Sequence, residues 1–146
     1  MTLSRDVLDL PVLKGVLVDG HFVEKDRMGR MVAFLGRIAQ EGWAEEVKGI
    51  GIERETALLV EPDGQAQVIG RPNFPRPSAY FFRLTQRPEV AEIGKPLVVR
   101  DVRVDLVTPS GMFDLRTWTA TEGVSFTLSA EGGRILSTAP AGRIYP

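Results

Sequence analysis

The feature that most constrains this chain is a change of hydrophobic period within its first third. "PVLKGVLVD", residues 11–19, is a short, nearly continuous apolar run bounded by Pro11 and Asp19. Such a run predicts a strand buried on both faces of a sheet. "DRMGRMVAFLGRIAQEG", residues 26–42, then places Met28, Met31, Val32, Leu35, Ile38 and Ala39 at three- and four-residue steps. That spacing predicts an amphipathic helix, with Asp26 placed to cap its start and Gly42 to end its last turn. Gly29 and Gly36 each cost about 1 kcal/mol against alanine inside a helix, which predicts close packing against a neighbouring backbone. "VKGIGIE", residues 47–53, is a second short apolar strand. Strand, helix and strand at this spacing form a βαβ unit, whose two strands are parallel and whose crossover is right-handed.

Beyond residue 55 the pattern becomes β. "TALLVEPDGQAQVIG" predicts a hairpin, with Pro62 at the second place of its turn and Gly64 taking a positive φ. "RPNFPRP" reads as an extended connector and "SAYFFRL" as a strand. In "KPLVVRDVRVDLVTP", Val102, Val104 and Leu106 alternate with Arg103 and Asp105, which predicts a strand with one solvated face. "VSFTLSAEGGRILST" predicts a last hairpin turning on Gly132 and Gly133. The expected class is α/β: a parallel-sheet βαβ unit, part of a three-layer α/β domain, followed by a mainly antiparallel β part. The expected division is residues 1–70 as the α/β part and 71–146 as a β-rich extension packed on it.

Composition narrows the partners. Eighteen basic against nineteen acidic residues leave a net charge of −1, which argues against nucleic acid or an anionic membrane, since both need a concentrated positive field. No apolar run approaches the roughly 20 residues that span a bilayer, and "MTLSRDVLDLP" lacks the pattern of a signal peptide. A cytoplasmic location is the default. The chain has no cysteine, so it carries no disulfide, thiol nucleophile or thiolate zinc site. No metal or other cofactor is expected.

The single histidine, His21, falls two residues beyond the apolar run ending at Val18. Ligands of open parallel sheets collect just past the carboxyl ends of strands, so the location favours function, with a histidine that simply hydrogen-bonds the backbone as the alternative. Lys25, Arg27 and Arg30 enter the helix, where cations oppose the macrodipole. An anionic ligand or a carboxylate partner would offset that cost. Ser4, Ser78, Ser110, Ser125, Ser129 and Ser137 all lie in strand, turn or terminal contexts, without the tight elbow that exposes a nucleophilic serine. The chain thus offers a base without a nucleophile.

"KGVLVDGHFVEKDRMGRMVAFL" followed by "GIGIERETALLV" resembles the stretch after the nucleophile in the cyanophycinase family of serine peptidases, relatives of aspartyl dipeptidase. In that family an Asp-x-His-Phe segment supplies the histidine of the charge relay, and arginines enter the next helix. The resemblance covers residues 1 to about 70 and continues loosely through "AYFFRLTQ", "GKPLVV" and "FDLRTW". It implies that His21 is the catalytic base and that Asp19, Gly20, Lys25, Arg27, Arg30 and Glu53 line the substrate pocket. Gly20 stands for a glutamine of the family, Lys25 for an arginine, and Arg54 for a glutamate. The serine elbow lies upstream in the family, so the chain resembles its C-terminal portion and is expected to be inactive alone. The implied partners are the N-terminal half or another copy of the chain, and an acidic or Asp/Arg-containing peptide. The alternatives are a non-catalytic peptide-binding or assembly module, and an unrelated activity that uses His21 with a carboxylate.

Overall fold

The computed structural model describes residues 10–146. A 3-10 turn at Pro11–Leu13 precedes strand β1 (Val16–Gly20), helix α1 (Met28–Gln40) and strand β2 (Val47–Ile52). The strands β3 (Thr56–Val60), β4 (Gln65–Gly70), β5 (Ala79–Leu84), β6 (Val99–Val107), β7 (Met112–Asp114), β8 (Thr119–Ala120), β9 (Val124–Glu131) and β10 (Arg134–Ser137) follow. One sheet has six strands in the order β1-β2-β5-β6-β9-β10, and the other has four, β3-β4-β7-β8. β1 and β2 pair in parallel, and every other pair of neighbouring strands is antiparallel. The class is therefore α/β, with one mixed and one antiparallel sheet. Strands from before and after residue 70 share the larger sheet. No helix among the described residues is long and apolar enough to cross a membrane.

The period-2 alternation of the sheet strands builds three layers. On β5, Tyr80, Phe82 and Leu84 join Met28, Met31, Val32 and Leu35 of α1 in one core. From the opposite face of the same strand, Ala79 and Phe81 join Ala66, Val68, Phe113 and Trp118 of the smaller sheet region in a second core. β2 follows the same rule, with Val47 facing the helix and Ile50 the other sheet. Its two glycines lie on the helix side. A Cβ at Gly49 would come within 2.8 Å of the Met31 sulfur, and one at Gly51 within 2.5 Å of the Phe22 ring. Glycine at both positions lets α1 and Phe22 settle directly on the strand.

Both expected hairpins form. Gly64 (φ 89°) closes the β3–β4 turn, and Gly132 and Gly133 (φ 57° and 74°) close that between β9 and β10. Five local expectations need correction, the last of them the cap of α1. The run at 11–19 is extended only from Val16, because Pro11 opens a 3-10 turn and Gly15 takes a φ of 75°. β1 is not buried on both faces: it is the edge of the sheet, and Val18 is 49% exposed. Asp105 is buried rather than solvated, since the second core covers that end of β6, and it accepts a hydrogen bond from the Ser125 hydroxyl. Gly29 and Gly36 meet the side chains of Ile135 and Leu97 rather than a neighbouring backbone.

Asp26 does not cap α1 with its own side chain. It adopts a φ of 47°, leaving Arg27 as the N-cap residue without a side-chain cap. The cap is supplied from the far end of the chain. The Tyr145 hydroxyl accepts from the Met28 amide at 2.9 Å and donates to Asp26 Oδ1 at 2.9 Å. At the other end Gly42 takes φ 67°, with the Gly42 amide donating to the Ala39 carbonyl and the Trp43 amide to that of Ile38. This is the Schellman arrangement that the glycine predicts.

Candidate functional site

The site is built where β1 ends. Gly20 is its last residue, in register with Ile52 of β2, and residues 21–27 turn the chain into α1. The Phe22 amide donates to the Ile52 carbonyl at 3.1 Å, and the Phe22 side chain is fully buried over Gly51. Glu53, only 7% exposed, secures the turn from β2's side. Its Oε2 accepts from the Val23 amide at 2.6 Å and its Oε1 from the Arg54 amide at 2.7 Å. An aromatic anchor and a buried carboxylate thus hold the segment that carries His21. The Glu53 role is structural in kind, because both of its oxygens are engaged by main-chain donors.

His21 sits at the head of this turn with a φ of 52°. The Lys25 amide donates to the His21 carbonyl at 3.0 Å, which closes one turn and brings residues 21 and 24 to the same side. His21 Nδ1 lies 2.8 Å from Glu24 Oε2, with the His21 side chain 59% exposed. The imidazole holds the Glu24 carboxyl below its ordinary value, aided by the positive charges of Arg54 and Lys25. Arg54 Nη1 is 3.5 Å from the other oxygen, Glu24 Oε1. Among the described residues, His21 Nε2 has no hydrogen-bond partner.

The basic residues at the helix start do not gather around the histidine. Arg27 donates to Asp19 Oδ1 at 2.5 Å and to the Gly20 carbonyl at 2.8 Å. Arg30 grips both Asp19 oxygens at 2.5–3.0 Å. Asp19 is thus the carboxylate that offsets the two cations, and it bonds neither to His21 nor to Glu24. Lys25 bears on the site through its charge on Glu24. Two groups result, Asp19–Arg27–Arg30 with the Gly20 carbonyl on one side and His21–Glu24–Arg54 on the other. Ser4 lies outside the described residues, and no serine hydroxyl among those described bonds to His21. No cluster of three or more metal-ligating side chains occurs among the described residues.

A cavity of about 740 Å³ opens beside the second group, with Glu24, Glu53, Arg54, Tyr80 and Tyr145 in its wall. Burial, with the Glu53 charge, pushes the Tyr80 phenol up to about 12. Burial also raises the Tyr145 phenol, further helped by its hydrogen bond to Asp26. Sequence reasoning passed over Glu24, although its three-residue offset from His21 across a turn was a usable signal. It had no means of finding Tyr145, which reaches the site across 117 residues from Met28.

No protein-family model matches the chain. Against curated proteins, it is 27% identical over 122 residues to a cyanophycinase of Synechococcus elongatus, covering 78% of this chain and 34% of that protein. Cyanophycinases of Trichormus variabilis and of a Nostoc species are each 28% identical over 118 residues, covering 78% of this chain and 37% of theirs. This chain is cyanophycinase-like. It spans about a third of the length of the curated relatives it matches.

Proposed function

We propose that this chain supplies the general base and part of the substrate surface of a cyanophycinase-like serine peptidase, with the nucleophile carried on an N-terminal half or partner chain. Cyanophycinase similarity supports a hydrolase of the peptidase kind. The resemblance of the "VDGHF" segment to the family's relay histidine supports the serine class. The observation that carries the reading is the state of the imidazole: Nδ1 rests on the Glu24 carboxylate at 2.8 Å, while Nε2 is unpartnered on a ring 59% exposed. A carboxylate on one ring nitrogen fixes the proton there and leaves the other nitrogen's lone pair to take a proton from a hydroxyl. The family resemblance supports reading Asp19, Gly20, Lys25, Arg27 and Arg30 as a substrate-binding rim, with Arg27 and Arg30 held by Asp19, while Glu53 supports that rim by fixing the turn.

The nucleophile then arrives along the free edge of β1, whose outer side no described strand covers. Unpaired edges recruit strands from other segments. The test pairs this chain with the N-terminal half of a cyanophycinase and follows hydrolysis of a short Asp/Arg peptide. His21→Ala is expected to lower turnover by about three to four orders of magnitude while peptide affinity persists. A His21→Ala complex that cleaves within about tenfold of the parent, far above the residue left by relay loss, overturns the assignment.

A further inference from the structure

The cavity beside Glu24 holds cations that the fold does not use. Arg76 enters its wall from the extended segment 71–78, and Arg143 from the segment after β10. Both are exposed, and among the described residues neither guanidinium has a hydrogen bond or ion pair. This contrasts with Arg27 and Arg30, which Asp19 saturates. Arg54 adds a third guanidinium, 5.5 Å from the centre of the Phe74 ring and only loosely paired with Glu24. Of the two carboxylates in the wall, Glu53 is occupied by main-chain amides and Glu24 by His21 and Arg54. Three arginines thus face two side-chain carboxylates that are already engaged, with Pro146 also in the wall, and Arg76 and Arg143 are the guanidiniums left without a side-chain partner among the described residues.

The rest of the wall is mostly apolar, with Phe74, Tyr80, Tyr145 and several prolines beside Ser78 and Thr108. A guanidinium beside such a surface binds a carboxylate more strongly than one in open water, and its planar fork matches both carboxylate oxygens. The volume falls within the roughly 300–1,000 Å³ of small-molecule sites, which pair apolar walls with a few directed polar groups. We propose that this cavity seats the C-terminal carboxylate of a short peptide, with Arg76 and Arg143 holding the anion and Phe74 and Tyr145 covering the apolar side chain of the same residue. The choice of a peptide over another carboxylate rests on the peptidase reading of His21.

The test is a heteronuclear NMR titration of the labelled chain with N-acetyl-Ala-Phe as the free acid, as its C-terminal amide, and with N-acetyl-Asp-Phe amide, which moves the carboxylate to a side chain. The free acid is expected to bind saturably, shifting the amides of Phe74, Arg76, Arg143 and Tyr145, with the other two peptides about tenfold weaker or more. Arg76→Ala and Arg143→Ala, both at exposed positions, are expected to weaken the free acid by about fivefold to tenfold and to leave the amide unchanged. Added salt should weaken the free acid alone. Equal binding of acid and amide, equal binding of the aspartyl peptide, or no saturable binding overturns the proposal. None of these readouts needs turnover, so failed hydrolysis counts against the peptidase reading alone, and failed peptide binding leaves the His21 assignment standing.

Discussion

His21 occupies a left-handed backbone conformation, φ 52°, which a non-glycine residue adopts at a cost of about 1–3 kcal/mol. The surrounding contacts over-determine it, with Phe22 buried behind and Glu53 gripping the Val23 amide. Because the chain has one histidine, its ring nitrogens give a single, unambiguous set of ¹⁵N signals. The expected spectrum of the neutral ring has the proton on Nδ1, and Glu24→Ala should move it toward Nε2, the ordinary preference in water. Glu24 gives the reciprocal readout. Its carboxyl is held low chiefly by the His21 hydrogen bond, so His21→Ala should raise its titration midpoint toward the ordinary 4.5. The interaction stabilises the fold above that range and is lost as pH falls through the lowered value. An unchanged Glu24 midpoint in His21→Ala would mean the contact does not persist in solution. His21 was legible as a residue past a strand end, because apolar runs and their ends are written in one dimension. Glu24 was not singled out, since a carboxylate among Lys25, Asp26 and Arg27 looks like any solvated charge until the turn that folds it back is known.

The elements that frame the site are β2 and α1, and each offers a substitution with a defined cost. At Gly51 an added methyl meets the Phe22 ring at 2.5 Å. Gly51→Ala is expected to lose about 1–3 kcal/mol in urea unfolding, as overpacked sites do, and to shift the His21 signals with it. Tyr145→Phe removes two hydrogen bonds, leaving the Met28 amide without its cap. A loss of about 1–2 kcal/mol is expected, and hydrogen exchange at the first turn of α1 should speed up more than at its last turn, where Gly42 and Trp43 close the helix. The βαβ unit could be read because helix and strand periods differ so plainly in "MGRMVAFLGRIAQ" and "VKGIGIE". That β1 is an edge could not, because "VLV" looks the same whether a neighbour covers Val18 or solvent does. Asp105 misled for the complementary reason: an alternating strand implies a wet face only if no second sheet lies over it.

Across the whole molecule, the two tyrosines of the chain, Tyr80 and Tyr145, share one cavity wall and both resist ionisation. A phenol whose ionisation is raised above its unfolded value of 10.0 adds stability below that pH and loses it as pH climbs through the folded value, about 12 for Tyr80. Absorbance at 295 nm should therefore show little phenolate at pH 11 in buffer and nearly complete ionisation at the same pH in urea. Ordinary phenolate titration in buffer would show that the wall is open to water. Sedimentation tests the exposed edge of β1: self-association or capture of an N-terminal half is expected, and a stable monomer in the presence of that half would argue against edge pairing. The cavity was invisible in the sequence because its wall is drawn from Arg54, the 74–80 segment and residues 143–146, which no local pattern links.

The bond from Met28 to Tyr145 has a consequence in time as well as in space. A ribosome delivers residue 28 long before residue 145, and until the latter appears the amide that opens α1 lacks the hydroxyl that satisfies it. Translation thus makes β1, α1 and β2 well before the hydroxyl that caps the helix, so a nascent chain halted between residues 28 and 145 carries α1 without that cap.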